Sequence, residues 1–282
     1  MRQRAAPGAG PLLVAGVAIL VWAERRWPLR RRTAPGGARR AARNLALAGL
    51  SAITVQAVER PLVTPLARLV AERRVGLLPS LGLPGWIELP AALALMDYTL
   101  YLWHRLTHRV PFLWRFHRVH HADLDMDATT AIRFHAGEFL LSAPYRAAQV
   151  LLIGVRPRAL LLWQRLTLAA VVFHHANLRL PLSLECALVR LVVTPQMHGI
   201  HHSVVPAEAD SNWSSVLTAW DRLHGTLRLN VPQAAVTIGV AELRPPRDVA
   251  FVSLVAMPFR RQRRAMRVPE SCRPGLPSSL EA

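Results

Sequence analysis

Eight of the chain's twelve histidines stand in three short patterns. His104 and His108 form HxxxH. His117, His120 and His121 form HxxHH, and His198, His201 and His202 repeat HxxHH. On a helix, side chains three and four positions apart share a face, so each pattern is expected to aim two or three imidazoles at one point. Neutral imidazole is a good ligand for iron, zinc or copper. Eight converging imidazoles exceed what one ion can use, which predicts two metal ions. Soluble di-iron bundles bring carboxylates to such a site. These patterns contain none, so a metal pair here keeps most of its positive charge. Asp97 lies seven residues before His104, two helical turns away on the same face, and is expected to orient a ligand imidazole from there.

The elements that must position these residues are apolar. Runs cover 11–23, 44–70, 86–103, 139–155 and 159–173, with a shorter one at 182–193. Helices are the expected form, because a backbone exposed to lipid must satisfy its own hydrogen bonds. The first run follows Arg2 and Arg4 but meets no small-residue cleavage site. It continues into Glu24, Arg25 and Arg26, and reads as a retained membrane helix. Glu59, Arg60 and Pro61 interrupt the second run, which predicts a helical hairpin or a kinked helix. The third leads straight into the first histidine pattern. The run at 182–193 is expected in the interface or packed on the bundle.

Composition fixes the surroundings. Hydrophobic residues make up 52% of the 282 positions, and all 35 basic side chains are arginine, giving a formal charge of +18. The arginines cluster beside apolar runs, from Arg25 to Arg43 and from Arg260 to Arg267. That distribution fits basic residues retained on the cytoplasmic side of a membrane, not a nucleic-acid-binding face, for which no fold motif occurs. The N-terminus is then expected to face away from the cytosol, with the C-terminal tail cytosolic and its end disordered. Cys186 and Cys272 form no CxxC pair, so neither a disulfide framework nor a cysteine zinc site is expected. Trp103, Trp114, Trp213 and Trp220 read as an interfacial belt. His224 reads as structural and His174 as a packing or hydrogen-bonding residue with a ligand role as the alternative; Glu138 reads as the partner of a surface arginine or, equally, as a catalytic residue.

From Pro90 to Leu227 the sequence resembles the fatty acid hydroxylase / sterol desaturase superfamily. The stretch from Asp97 to Arg105 is similar to that family's approach to its first histidine box, and His108, Pro111, Leu113, Trp114 and the residues from His117 to His121 continue it. Arg133-Phe134-His135 with Glu138 resembles a further segment, His175-Ala176-Asn177 a histidine–asparagine element, and the residues from His198 to His202 the last box. Asn212, Trp220-Asp221-Arg222 and Gly225-Thr226 resemble the family's segment on the C-terminal side of that box. The resemblance implies a di-iron centre that uses O₂ and two electrons to hydroxylate or desaturate an unactivated C–H bond. It implies the ligands His104, His108, His117, His120, His121, His198, His201 and His202, with His175 as the ninth. His135 and Asn177 are placed behind them as supporting residues. Ala136 and His224 depart from the family pattern without removing a box residue.

The expected architecture is an all-α membrane bundle of four to six embedded helices with a histidine-rich di-metal cap on the cytosolic side, in the cell (inner) membrane. Residues 1–85 supply N-terminal membrane helices, 86–230 the catalytic domain and 231–282 a basic tail. The chain shows no haem-binding electron-transfer segment, so a separate reductase, ferredoxin or cytochrome is the expected electron donor, and a fatty acyl or sterol-like lipid the substrate. A non-redox alternative is a zinc hydrolase or metal transporter. A transporter should place ionisable residues inside several spans, whereas these histidines flank the runs. A hydrolase needs a general base that the sequence does not name.

Overall fold

A computed structural model describes residues 9–32, 34 and 36–261, with side chains from Ala15 onward. Arg2, Arg4, Arg263, Arg264, Arg267, Cys272 and the C-terminal end expected to be disordered lie outside the described residues. Among those described there are no strands, only three isolated bridges. The main helices are α1 (Ala9–Arg26), α2 (Gly37–Thr54), α3 (Arg60–Arg73), α4 (Leu77–Ser80), α5 (Gly85–Arg109), α6 (Pro111–His121), α7 (Ala136–Ile153), α8 (Pro157–His175), α9 (Leu182–Leu188) and α10 (Pro195–His201). The apolar runs predicted to be helical are largely helical, but the run at 182–193 leaves the helix after Leu188.

The second run is not a hairpin: its helix is continuous and changes register at the interruption. A π segment, Val55–Glu59, joins α2 to α3 without a break. Arg60 N–H reaches back five residues to Val55 O, and Pro61, which has no N–H to give, comes immediately after. The change of register thus falls where an α-helical bond would be lost anyway. Proline opens α6, α8 and α10, where its fixed φ suits a first helical turn. Gly154 ends α7 at φ 82°, a left-handed conformation costly for residues with a Cβ.

The main core packs α3, α5, α7 and α8 through Val63, Ala67, Met96, Val150, Leu160 and Trp163. Truncating a fully buried side chain such as Met96 to alanine costs about 2–5 kcal/mol in general. A second, polar knot ties α2 to the loop after α6. Arg40 pairs with Asp123 at 2.7 Å and with Asp127, Asn44 donates to Asp123 at 3.0 Å, and Arg133 donates to Asn44 at 2.8 Å. Every member is buried, and the reciprocal pairing is what makes that burial tolerable.

One described helical stretch, Gly37–Ser80, is long and apolar enough to cross a membrane by length and composition, and most of it is exposed. The predicted C-terminal tail is packed in its described part. Val231, Val236 and Ile238 bury against Met126 and Ile200, while Leu254 and Met257 bury against Leu47 and Val119.

Candidate metal centre

The ends of α5, α6 and α8, together with α10, bring nine imidazoles together in two groups. His104, His108, His117, His121 and His201 offer ligand atoms within 4.8 Å of one another, as do His120, His175, His198 and His202. All nine predicted histidines are present and no other histidine enters either group. The allocation differs from one pattern, one point. His117 and His121 (i, i+4) serve the first group while His120 turns to the second. In the last box His198 and His202 serve the second while His201 turns to the first. Positions i and i+4 lie about 40° apart around a helix and i+3 lies to the other side, so HxxHH can face two sites at once.

Partners behind the rings fix their orientation. Carbonyls and carboxylates only accept, so a ring nitrogen against one must carry the proton. His104 Nδ1 donates to Trp213 O (2.8 Å), His120 Nδ1 to Arg133 O (3.1 Å), His175 Nδ1 to Val171 O (2.8 Å) and His201 Nδ1 to Ser211 O (2.8 Å). His117 Nδ1 donates to Glu138 Oε1 at 2.8 Å. Each of these rings is left with a lone pair on Nε2, aimed into the cluster.

The cluster fits two metal ions. His120 and His175 both carry their proton on Nδ1, yet their Nε2 atoms lie 3.1 Å apart. Two lone pairs at that distance repel unless a cation sits between them. Nitrogens bound about 2.1 Å from one first-row metal lie roughly 3.0–3.4 Å apart at ordinary ligand angles. The His175–His198 and His198–His202 Nε2 pairs are also 3.1 Å apart. In the other group, the buried Nε2 atoms of His108, His117, His121 and His201 have no hydrogen-bond partner, as ligand atoms awaiting an ion would not. Burial, then the neighbouring imidazoles, push His120, His121, His198 and His202 well below 6.5, and burial takes His201 to about 3. The rings are therefore uncharged at neutral pH, the form that binds metal.

The residues expected to support the ligands act elsewhere. Asp97 bonds no imidazole. Its carboxylate accepts from Leu217 N–H (3.0 Å) and Trp220 Nε1–H (2.7 Å), steadying the turn that leads to Asp221. Asp221 in turn holds the N–H groups of Trp213 and Ser214, so Asp97 reaches His104 only through this loop. His135 caps α7, accepting from Gly137 N–H through Nδ1 (2.9 Å) and donating from Nε2 to Val255 O (3.1 Å). Asn177 clasps Arg30, accepting from its N–H at 2.9 Å and donating to its carbonyl at 2.8 Å. Glu138, three residues after the cap, pairs with His117 and not with an arginine.

The remaining aromatic residues also depart from expectation in part. Trp213 is 1% exposed and lies in the core, and the Trp220 indole is held by Asp97, so neither belongs to an interfacial belt. His224 stacks on Tyr101 at 5.0 Å and bonds Tyr98, a packing role as expected. His174 packs 4.0 Å from the His198 ring, outside both groups.

Comparison with known proteins meets the same segment. Residues 89–226 match the fatty acid hydroxylase family model. The chain is 31% identical over 188 residues to ornithine lipid hydroxylase OlsE of Rhizobium tropici, covering 64% of this chain and 53% of that protein. It is 34% identical over 142 residues to a cholesterol 25-hydroxylase-like protein of Danio rerio, covering 50% and 55%. With alkylglycerol monooxygenase of Xenopus tropicalis it shares 29% over 131 residues, covering 46% and 28%. The chain thus spans about half the length, or less, of the curated relatives it matches. No solved structure matches. The matched segment carries all nine clustered imidazoles, and over it the chain resembles the fatty acid hydroxylase family.

Proposed function

We propose that this chain is a membrane-embedded oxygenase that hydroxylates an unactivated C–H bond of a lipid at a di-iron centre. The observation that carries this reading is the pair of imidazole groups with opposed Nε2 lone pairs, built on a segment whose relatives are named as lipid hydroxylases and monooxygenases. His104, His108, His117, His121 and His201 hold one ion. His120, His175, His198 and His202 hold the other. Bound and reduced, the metals supply the redox chemistry that splits O₂, and the balance is C–H + O₂ + 2 e⁻ + 2 H⁺ giving C–OH + H₂O. The names of the relatives favour hydroxylation over desaturation.

The chain's own residues orient the ligands and exclude water. Glu138 and the carbonyls of Arg133, Val171, Ser211 and Trp213 lock the ring tautomers. The Phe134 ring lies parallel to His120 at 4.3 Å, and Trp114 packs 5.0 Å from His108. His117, His120, His121, His175, His198, His201 and His202 are each at most 3% exposed. The two electrons come from a separate reductase, ferredoxin or cytochrome. The exposed apolar surface of Leu45, Ile53, Leu62 and Leu69 along Gly37–Ser80 supports embedding in a bilayer. The clustering of arginines beside the apolar runs supports a histidine cap on the cytosolic side of the cell membrane.

The test is metal content and product formation together. Protein purified in detergent from iron-supplemented cells should hold two irons per chain. His108→Ala and His120→Ala should each lose one or both. Supplied with reductant, wild type should form an O₂-dependent hydroxylated lipid seen by mass spectrometry. One zinc per chain, indifferent to both substitutions, would reject the reading.

A further inference from the structure

A cavity of about 990 Å³ lies between the end of α1, the α8–α9 connection and residues 233–238. Its walls include Leu124, Met126, Val236 and Ile238, and Arg30, Arg31, Arg32 and Arg179 stand around it. Arg32 is paired with Glu24 and Asp127. Among the described residues, the other three guanidiniums have no carboxylate within ion-pair distance. Asp125 shares the wall and acts on Arg30 from a distance, while accepting from Ala34 N–H at 2.9 Å.

Arg30 is built in, not draped over the surface. Asn177 grips its backbone from both sides, Gln233 Oε1 accepts from Nη1 at 2.5 Å, and Nη2 faces Met126 Sδ at 3.8 Å. Its side chain also packs on Gly199, where a Cβ would run into the guanidinium, so the cavity shares a wall with the last histidine box. Burial lowers the guanidinium from 12.5 to about 10, which leaves it charged at neutral pH. A half-buried cation whose direct partners are neutral is only partly compensated. An anion in the cavity would complete it, and arginine suits phosphate and carboxylate oxygens.

The position of the mouth says where that anion comes from. Trp27 O accepts from Arg179 N–H at 2.8 Å, which places Trp27 beside the rim. Trp27 and Trp22 form an edge-to-face pair and are 47% and 59% exposed. Leu182, in the cavity wall, is 74% exposed. Exposed tryptophans, arginines and leucine together mark the level of lipid headgroups.

We propose that this cavity binds the anionic headgroup of a membrane lipid, with its oxygens met by Arg30, Arg31 and Arg179 and its apolar part against the cavity walls. The site adjoins the imidazole cluster through Gly199, but its guanidiniums are not metal ligands and its occupancy does not depend on the oxidation reading.

Binding to the full chain in detergent tests this without turnover. Melting temperature and native mass spectrometry would be followed against phosphatidylglycerol, phosphatidylcholine and inorganic phosphate, for wild type, Arg30→Gln and the double variant Arg31→Gln/Arg179→Gln. Wild type should bind phosphatidylglycerol at least tenfold more tightly than phosphatidylcholine. The double variant, whose two side chains are exposed, should lose that margin while its lipid-free melting temperature stays put. Equal binding of the two lipids, or a margin intact in the double variant, would overturn the site. Inorganic phosphate stabilising the chain as well as phosphatidylglycerol at equal concentration would overturn the lipid as its occupant. Should Arg30→Gln fail to fold, the double variant alone decides.

Discussion

At the scale of single residues, the imidazoles divide into those whose partners are chemically replaceable and those whose partners are main chain. Glu138 is the only side chain among the five acceptors that hold an Nδ1 proton. Glu138→Ala should therefore free the His117 ring and weaken metal binding in the five-histidine group by about 10–100-fold. Metal titration followed by elemental analysis reads this directly, and undiminished affinity would remove Glu138 from the site. Asp123 carries a pH prediction. Burial alone would raise its carboxyl, but Arg133 and Arg40, with Asn44 and Thr130, win and hold it below its ordinary 3.8. A depressed folded value means that the unfolded chain binds the proton first. The stabilisation is thus full above about pH 4 and fades as pH falls through the folded value. Asp123→Asn should lower the melting temperature at pH 7 and flatten its dependence between pH 3 and 5. Eight of the nine clustered histidines were legible in the sequence because imidazole is rare and its spacing is informative; His175 followed only from the family resemblance. The carbonyls of Arg133, Ser211 and Trp213 were not, since any residue supplies a carbonyl and only the folded path decides where it points. Asp97 misled for a related reason: sharing a face with His104 says nothing about a loop more than a hundred residues later that takes its oxygens.

At the scale of elements, the π segment turns a sequence conflict into a joint. Glu59, its last residue, is buried and lies within electrostatic reach of Arg146, which donates to Gln149 and stands 4.3 Å over the Trp163 ring. Three helices meet there. Replacing Glu59 with leucine should cost on the order of 1 kcal/mol, because the two charges attract without direct contact and Arg146 keeps its other partners. Adding Arg146→Leu to that variant should cost less than the same change does in wild type, because the partner is already gone. Additive melting shifts in detergent would dissolve the pair. Composition located the interruption in the second run but could not choose between turn and joint. The choice rests on whether both halves find partners on the same side, and α2 and α3 both pack on α7. The HxxHH pattern was ambiguous in the same way: its spacing permits one target or two, and the approach of α10 to α6 selects two.

At the scale of the molecule, the arginine-rich end of α1, the imidazole cap and the packed 231–261 segment lie at one end of the bundle. Cys186 is exposed on α9 and free, close in sequence to the last box. In a Cys272→Ser background, a membrane-impermeant maleimide should label Cys186 in inverted inner-membrane vesicles and leave it unlabelled in intact spheroplasts. The opposite pattern would reverse the orientation drawn from the arginines. The helical class and the matched segment were legible from periodicity and histidine spacing. Docking of residues 231–261 was not, because its apolar residues are scattered and their targets, Met126, Ile200 and Val119, lie far away in the chain. The anchoring of His104, His120, His175 and His201 on carbonyl oxygens has a consequence for divergence. Exchanging the side chain of Val171 or Ser211 leaves the carbonyl where it was, so these positions can drift without turning a ring. A cluster hung on the main chain is insulated from most point mutations around it. Chains about a third identical to this one over the aligned stretch, as two of its relatives are, can differ widely at such positions without disturbing imidazoles held in this way.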